Sequence, residues 1–164
     1  MPLAALAVGA ALNCWVLAEQ RFKVPAYLLY AVASVESSYD PTALAYAHDG
    51  TYSVGLMQIN SRWFPALARV GIAEKQLYQP CTNVQVGAWI LAQEVTRYGC
   101  TWQAIGSYYA GPFDERSRDR KQSAYRKYAD KVLQRWRMAL NGEIRIGHPA
   151  SRRARHLHHA TPGE

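Results

Sequence analysis

Residues 25–38 read Pro-Ala-Tyr-Leu-Leu-Tyr-Ala-Val-Ala-Ser-Val-Glu-Ser-Ser, and this stretch sets the reading of the whole chain. Pro25 suits a first helical position, and Tyr27, Leu28, Ala31, Val32 and Val35 then recur at helical spacing. Glu36 continues the Leu28 and Val32 row at i+4 and i+8, so a carboxylate sits at the C-terminal end of an apolar stripe. There it faces the interior or a cleft, loses solvation, and is expected to hold its proton near neutrality as a general acid. Asp40-Pro41 ends the helix.

Further along, Asp49-Gly50 followed by Thr51-Tyr52-Ser53-Val54 predicts a small β-hairpin within residues 42–56. Thr82-Asn83-Val84-Gln85 has capping-box spacing, and Val84, Ala88, Leu91 and Val95 follow on one face until Tyr98-Gly99, which predicts a helix over 83–98. Thr101 can cap a shorter helix closed by Gly111-Pro112. From about Glu115 to Leu140, Tyr125, Tyr128, Val132, Leu133 and Trp136 keep helical spacing among Arg and Lys, as expected for a long amphipathic helix.

The 164 residues suffice for one domain, and 11 Tyr and 5 Trp against 3 Phe favour side chains that suit sugar or partner surfaces. Residues 1–111 carry six Lys/Arg and six Asp/Glu, whereas residues 112–164 carry thirteen and six and so hold the entire +7 excess. That excess could attract a polyanion, but no nucleic-acid recognition motif accompanies it. Residues 1–12 form an apolar run too short to span a bilayer and of a length suited to an export signal. No other stretch reaches transmembrane length.

Cys14, Cys81 and Cys100 allow one disulfide and one free thiol, or three reduced thiols. A helix over 83–98 would be about 24 Å long, which separates Cys81 from Cys100 and leaves Cys14 with Cys81 or Cys14 with Cys100. No metal-ligand spacing accompanies the cysteines, and no metal or cofactor is expected.

Several ordered words resemble one family. Glu36-Ser37-Ser38 after an apolar helix, Gly55-Leu56-Met57-Gln58-Ile59-Asn60 about twenty residues on, and Tyr108-Tyr109-Ala110-Gly111 near the domain end are similar to the soluble lytic transglycosylases. Cys14-Trp15, Pro80-Cys81-Thr82-Asn83-Val84 and Gly87-Ala88-Trp89-Ile90-Leu91-Ala92 add the pattern of the specialised branch associated with secretion systems, conjugation and pili. The resemblance covers residues 14–112.

It implies a predominantly α, goose-type lysozyme-like fold with at most a small hairpin. It divides the chain into an export signal (1–12), a catalytic domain (13–112), a basic helical extension (113–141) and a disordered basic tail (142–164). The implied reaction is cleavage of the β-1,4 bond between N-acetylmuramic acid and N-acetylglucosamine in peptidoglycan, with closure of a 1,6-anhydro ring. Glu36 matches the catalytic Glu. Ser53, Gly55, Met57, Gln58, Tyr108 and Tyr109 would surround the sugar, Met57 as an adaptable wall and Tyr108 orienting Glu36 through its hydroxyl. Leu56 and Ile59 read as core.

Tyr109 stands where the family usually has Asn. Asp40 and Asp49 read as turn residues, and Ser53 excludes a carboxylate at the one other place where the branch sometimes has an Asp. The resemblance also pairs Cys14 with Cys81 and leaves Cys100 as a buried thiol. Expected partners are peptidoglycan strands and the components of an envelope-spanning apparatus, for a monomer exported to the periplasm without a membrane anchor or a specific nucleic acid. The competing readings are a hydrolytic muramidase of the same fold and a non-catalytic wall-binding assembly factor.

Overall fold

The structure, a computed structural model, describes residues 14–111 and 118–144. The expected export signal, the tail beyond 144 and the segment joining the domain to the basic helix lie outside these residues. Helix α1 covers residues 14–22, α2 Ala26–Ser37, α3 Phe64–Arg69, α4 Pro80–Tyr98, α5 Trp102–Ala110 and α6 Arg118–Leu140. Strands β1 (Leu44–Tyr46), β2 (Tyr52–Val54) and β3 (Ile59–Asn60) form one antiparallel sheet in sequence order, with Ala45 opposite Ser53 and Ser53 opposite Asn60. The expectation of a helical, lysozyme-like domain with a small β element holds. The sheet gains a third strand of two residues, too short to leave a periodicity.

Local chemistry explains the boundaries. Pro25 is the residue before α2 rather than its first. The helix ends where Tyr39 donates its N–H to Ala33 and Ser38 its N–H to Ser34, a closing pattern usually built on glycine. Here Ser38 (φ 54°) and Tyr39 (φ 66°) both take left-handed backbone, at about 1 kcal/mol each. Stacking of Tyr39 on Tyr30, with ring centroids 4.4 Å apart, helps to hold them there. Helix α4 starts at Pro80 rather than at residue 83, because a proline in the first turn loses no hydrogen bond.

Thr101 precedes α5, but its hydroxyl donates back to the Tyr98 carbonyl at 3.0 Å instead of capping the new helix. Cys14 and Cys81 form a disulfide, with Cα atoms 5.2 Å apart, that ties α1 to the first turn of α4. Cys100 is exposed, contrary to the expected burial, because it lies in the tight turn between α4 and α5 where no packing surface covers it.

One hydrophobic core runs through the helices and strands β2 and β3, while the three residues of β1 are exposed. Leu28, Ala31, Val32, Val84, Ala88 and Leu91 are buried in it as the apolar rows predicted, and Leu56 and Ile59 as expected of core residues, whereas Tyr27, on the first of those rows, is exposed. Helix α6 packs against α2 and α5, and Tyr125, Tyr128, Ala129 and Val132 are buried while Arg126, Lys127, Lys131 and Arg135 face solvent. Arg126 lies over the Trp102 ring, 4.3 Å from its centroid, which fastens the basic face to α5. No helix among the described residues is long and apolar enough to cross a membrane.

Candidate active site

Glu36 occupies the last turn of α2, where the apolar row delivers its carboxyl half-buried against α6. The Tyr128 hydroxyl donates to Glu36 Oε1 at 2.5 Å. Burial raises the Glu36 pKa from 4.5 to about 7, with the Tyr128 hydrogen bond pulling the other way because it favours the carboxylate. Tyr128, itself buried beside that charge, is held well above the usual tyrosine range and so remains a donor. A carboxyl with this pKa can give and take a proton near neutrality.

Tyr109 stacks on Tyr128, with centroids 4.9 Å apart and planes 12° from parallel, and is 61% exposed. It thus covers one face of the ring that holds Glu36. Tyr128→Phe is expected to raise the Glu36 pKa further, since the lost bond favours the charged form. Titration of the carboxyl carbon by NMR checks this, and a lower value would show that Tyr128 chiefly buries the group.

The loop over residues 55–58 is clamped beside this pair from three sides. Ser37 Oγ donates to the Leu56 carbonyl at 2.7 Å, linking the loop to the end of α2. From α4, Asn83 Oδ1 accepts the Met57 N–H at 2.7 Å. From α5, the Tyr108 hydroxyl donates to the Met57 carbonyl at 2.7 Å. Gln58, at φ 49°, donates through Nε2 to the carbonyls of Gly55 at 2.9 Å and Ala43 at 3.3 Å.

The predicted site residues divide accordingly. Tyr108 was expected to hold Glu36 through its hydroxyl; it holds Met57 instead, and Tyr128 supplies the bond to Glu36. Met57 was expected as a wall of the cleft, but its side chain is fully buried against Gly87, where an added Cβ would come within 2.5 Å of the sulfur. Gly55 does serve a close approach, but the approaching group is the interior Asn83: at φ 77°, a Cβ would lie 2.2 Å from Asn83 Nδ2.

Ser53 lies in β2, half-buried, with Asn60 Nδ2 donating to its Oγ at 3.3 Å. Tyr108 and Tyr109 line a cavity of about 410 Å³ that opens between the sheet, α4 and α5. Asp40 and Asp49 are turn residues, each accepting from the backbone and hydroxyl of the threonine two positions on. Asp49 is also paired with Arg62.

Two participants escaped sequence reading. Tyr128 belongs to the apolar row of α6, a pattern that announces burial and says nothing about what a hydroxyl will meet 92 residues back along the chain. Asn83 had been read as part of a capping signal, whereas it is wholly buried inside the second turn of α4. Among the described residues no cluster of three or more His, Cys, Asp or Glu is placed to hold a metal ion.

Comparison with known proteins agrees with this architecture. Residues 13–131 match the model of the transglycosylase SLT domain, a span that includes Glu36, the loop over 55–58 and Tyr128. The chain is 44% identical over 126 residues to the invasion protein IagB of Salmonella typhimurium, covering 76% of each. It is 32% identical over 125 residues to protein IpgF of Shigella flexneri, covering 76% of this chain and 79% of that protein. An inactive mutant of lytic transglycosylase Slt from Pseudomonas aeruginosa shares the fold, with a TM-score of 0.61 at 21% identity, over 82% of this chain and 25% of the larger one. This chain therefore belongs to the family of transglycosylase SLT domains.

Proposed function

We propose that the protein is a lytic transglycosylase that cleaves the bond between N-acetylmuramic acid and N-acetylglucosamine in peptidoglycan and closes a 1,6-anhydro ring on the muramyl sugar. The observation that carries this reading is the half-buried carboxyl of Glu36 at the end of α2, with a tyrosine hydroxyl donating to one oxygen and a pKa of about 7. Asp40 and Asp49, the other acids weighed for the reaction, are engaged in turns. A glycosidase that hydrolyses with two carboxyls needs the second at a defined distance.

Protonated Glu36 gives its proton to the glycosidic oxygen as the bond to C1 breaks, and the substrate's own 2-acetamido group shields the positive charge at C1. Glu36, now ionised, takes the proton of the C6 hydroxyl as that oxygen bonds to C1. Acid and base are the same group, and its proton is restored at the end of the cycle. Tyr128 stabilises the carboxylate between the two steps. Ser53, Gln58, Tyr108 and Tyr109 are the residues assigned to the glycan.

The substrate places the protein in the periplasm, and the similarity to a protein named for invasion supports service to an envelope-spanning apparatus. Digestion of purified peptidoglycan, followed by mass spectrometry of the released muropeptides, tests the reaction. Anhydro-muropeptides are expected from the wild-type chain and none from Glu36→Gln. Reducing-end products would establish a muramidase, and no products from the wild type would favour an assembly factor.

A further inference from the structure

The cavity beside Tyr108 and Tyr109 has a wall that the proposed reaction does not use. Glu94 of α4 and Ser107 of α5 both line it, and they are only 4% and 2% exposed. Neither Glu94 Oε2 nor Ser107 Oγ has a hydrogen-bond partner among the described residues. Arg97 lies 3.8 Å from Glu94 Oε1, too far for a hydrogen bond, and its side chain is half-exposed, so it covers the carboxyl without satisfying it. Unpartnered polar groups in a folded interior cost stability, and two on adjoining helices of one cavity suggest that a ligand supplies what the protein withholds.

The remaining lining restricts the chemistry of that ligand. Trp63 offers an apolar ring face, and Thr51 and Asn60 offer neutral hydrogen-bonding groups. The guanidinium groups of Arg62 and Arg97 flank the cavity and disfavour a metal cation, while the Asp49 carboxylate disfavours an anion. Aromatic faces combined with neutral donors and acceptors suit a sugar ring. We propose that the wall formed by Glu94 and Ser107 is a specificity-determining subsite for an N-acetylated hexosamine, whose amide and hydroxyl groups it takes by hydrogen bonds.

This inference rests on the glycan reading above and adds the residues that select the sugar. Burial raises the Glu94 pKa, although Arg97 opposes it.

Calorimetric titration of the full chain with the tetramer of N-acetylglucosamine, and with cellotetraose as an uncharged control lacking the acetamido groups, tests the subsite. The wild type is expected to prefer the acetylated tetramer. Ser107→Ala and Glu94→Leu should each weaken that binding about tenfold, and Glu94→Gln by no more than about threefold, because Gln both donates and accepts. Ser107→Ala should leave the thermal midpoint unchanged or higher, since no hydrogen bond within the protein is lost. On peptidoglycan it should raise KM with kcat unchanged.

Unchanged binding by Ser107→Ala and Glu94→Leu beside a binding wild type overturns the subsite, as does a wild type that ignores both tetramers. Loss of binding that follows a fall in the thermal midpoint of Ser107→Ala overturns it in favour of a packing role. A wild type that binds the acetylated tetramer with these variant effects, yet yields no anhydro product, leaves the subsite standing and removes the proposed reaction.

Discussion

Glu36→Gln is expected to abolish turnover of peptidoglycan, by about a thousandfold or more, and at the same time to make the protein more stable above neutral pH. The first effect follows because Gln can neither give a proton to the glycosidic oxygen nor take one from the C6 hydroxyl. The second follows from the raised pKa. Below about pH 4.5 the side chain is protonated in the folded and unfolded chains alike, and the substitution gains nothing.

Between pH 4.5 and about 7 the unfolded chain releases this proton and the folded chain keeps it, so wild-type stability falls as pH rises. Above that window the folded protein carries an ionised, poorly hydrated carboxylate, at about 3 kcal/mol. Gln carries no charge, and its carbonyl can still accept from Tyr128. Urea unfolding of both proteins at about pH 4 and about pH 8.5 checks the sign: the midpoints should nearly coincide in acid, and the variant should lead in base. A variant no more stable at the higher pH would mean that water reaches the carboxyl, and the argument for a protonated acid near neutrality would fail with it.

How far this site could be read from sequence depended on whether a signal was local. The apolar row ending in Glu36 is a property of one helix, and α2 delivers the carboxyl where that row points. Asp49-Gly50 makes the turn between β1 and β2 for the reason its chemistry gives, an acceptor two residues before a threonine. What depended on contacts across the chain was legible only in part. The words around residues 55–58 marked an important loop, but the contacts that bury it could not be foreseen: Gly55 packs against Asn83, and the Met57 side chain faces the interior.

The rise in positive charge after residue 112 suggested an appendage. As the amphipathic spacing of residues 115–140 predicted, Arg126, Lys127, Lys131 and Arg135 lie on the solvent face of α6, whose other face carries Tyr128 to Glu36 and closes the core. Glu94 shows the same limit from the other side. It lies outside the row of Val84, Ala88, Leu91 and Val95, and only the neighbouring helix and the sheet reveal that it is covered.

Asn83→Ala is expected to cost about 3–5 kcal/mol, near the upper end for a single substitution, although Asn83 contributes no apolar surface to the core. Its Oδ1 accepts the Met57 N–H, and its Nδ2 donates to the carbonyls of Val54 at 3.0 Å and Leu77 at 2.7 Å. These three backbone groups belong to the site loop, to β2 and to the turn before α4, where no regular ladder could satisfy them all. Alanine leaves all of them buried and unpaired, and each carries a desolvation penalty of about 1–3 kcal/mol that relaxation and entering water only partly offset.

Asn83→Asp should not rescue the loss, because the carboxylate keeps the bond to Met57 but sets a second oxygen against two carbonyls. Gly55 supplies a sharper check, since a Cβ there would strike Asn83 Nδ2. Gly55→Ala and Asn83→Ala should therefore be markedly non-additive in urea unfolding, the double variant losing less than the two singles together, because Asn83→Ala removes one of the groups that the new methyl meets. Strain from φ 77° and the Leu77 carbonyl 2.7 Å away persists, so the relief should be partial. Simple additivity would mean that the loop moves away from α4 as soon as either side is altered, and Asn83 would then be a filler of space rather than the clamp that fixes Met57 beneath Tyr108.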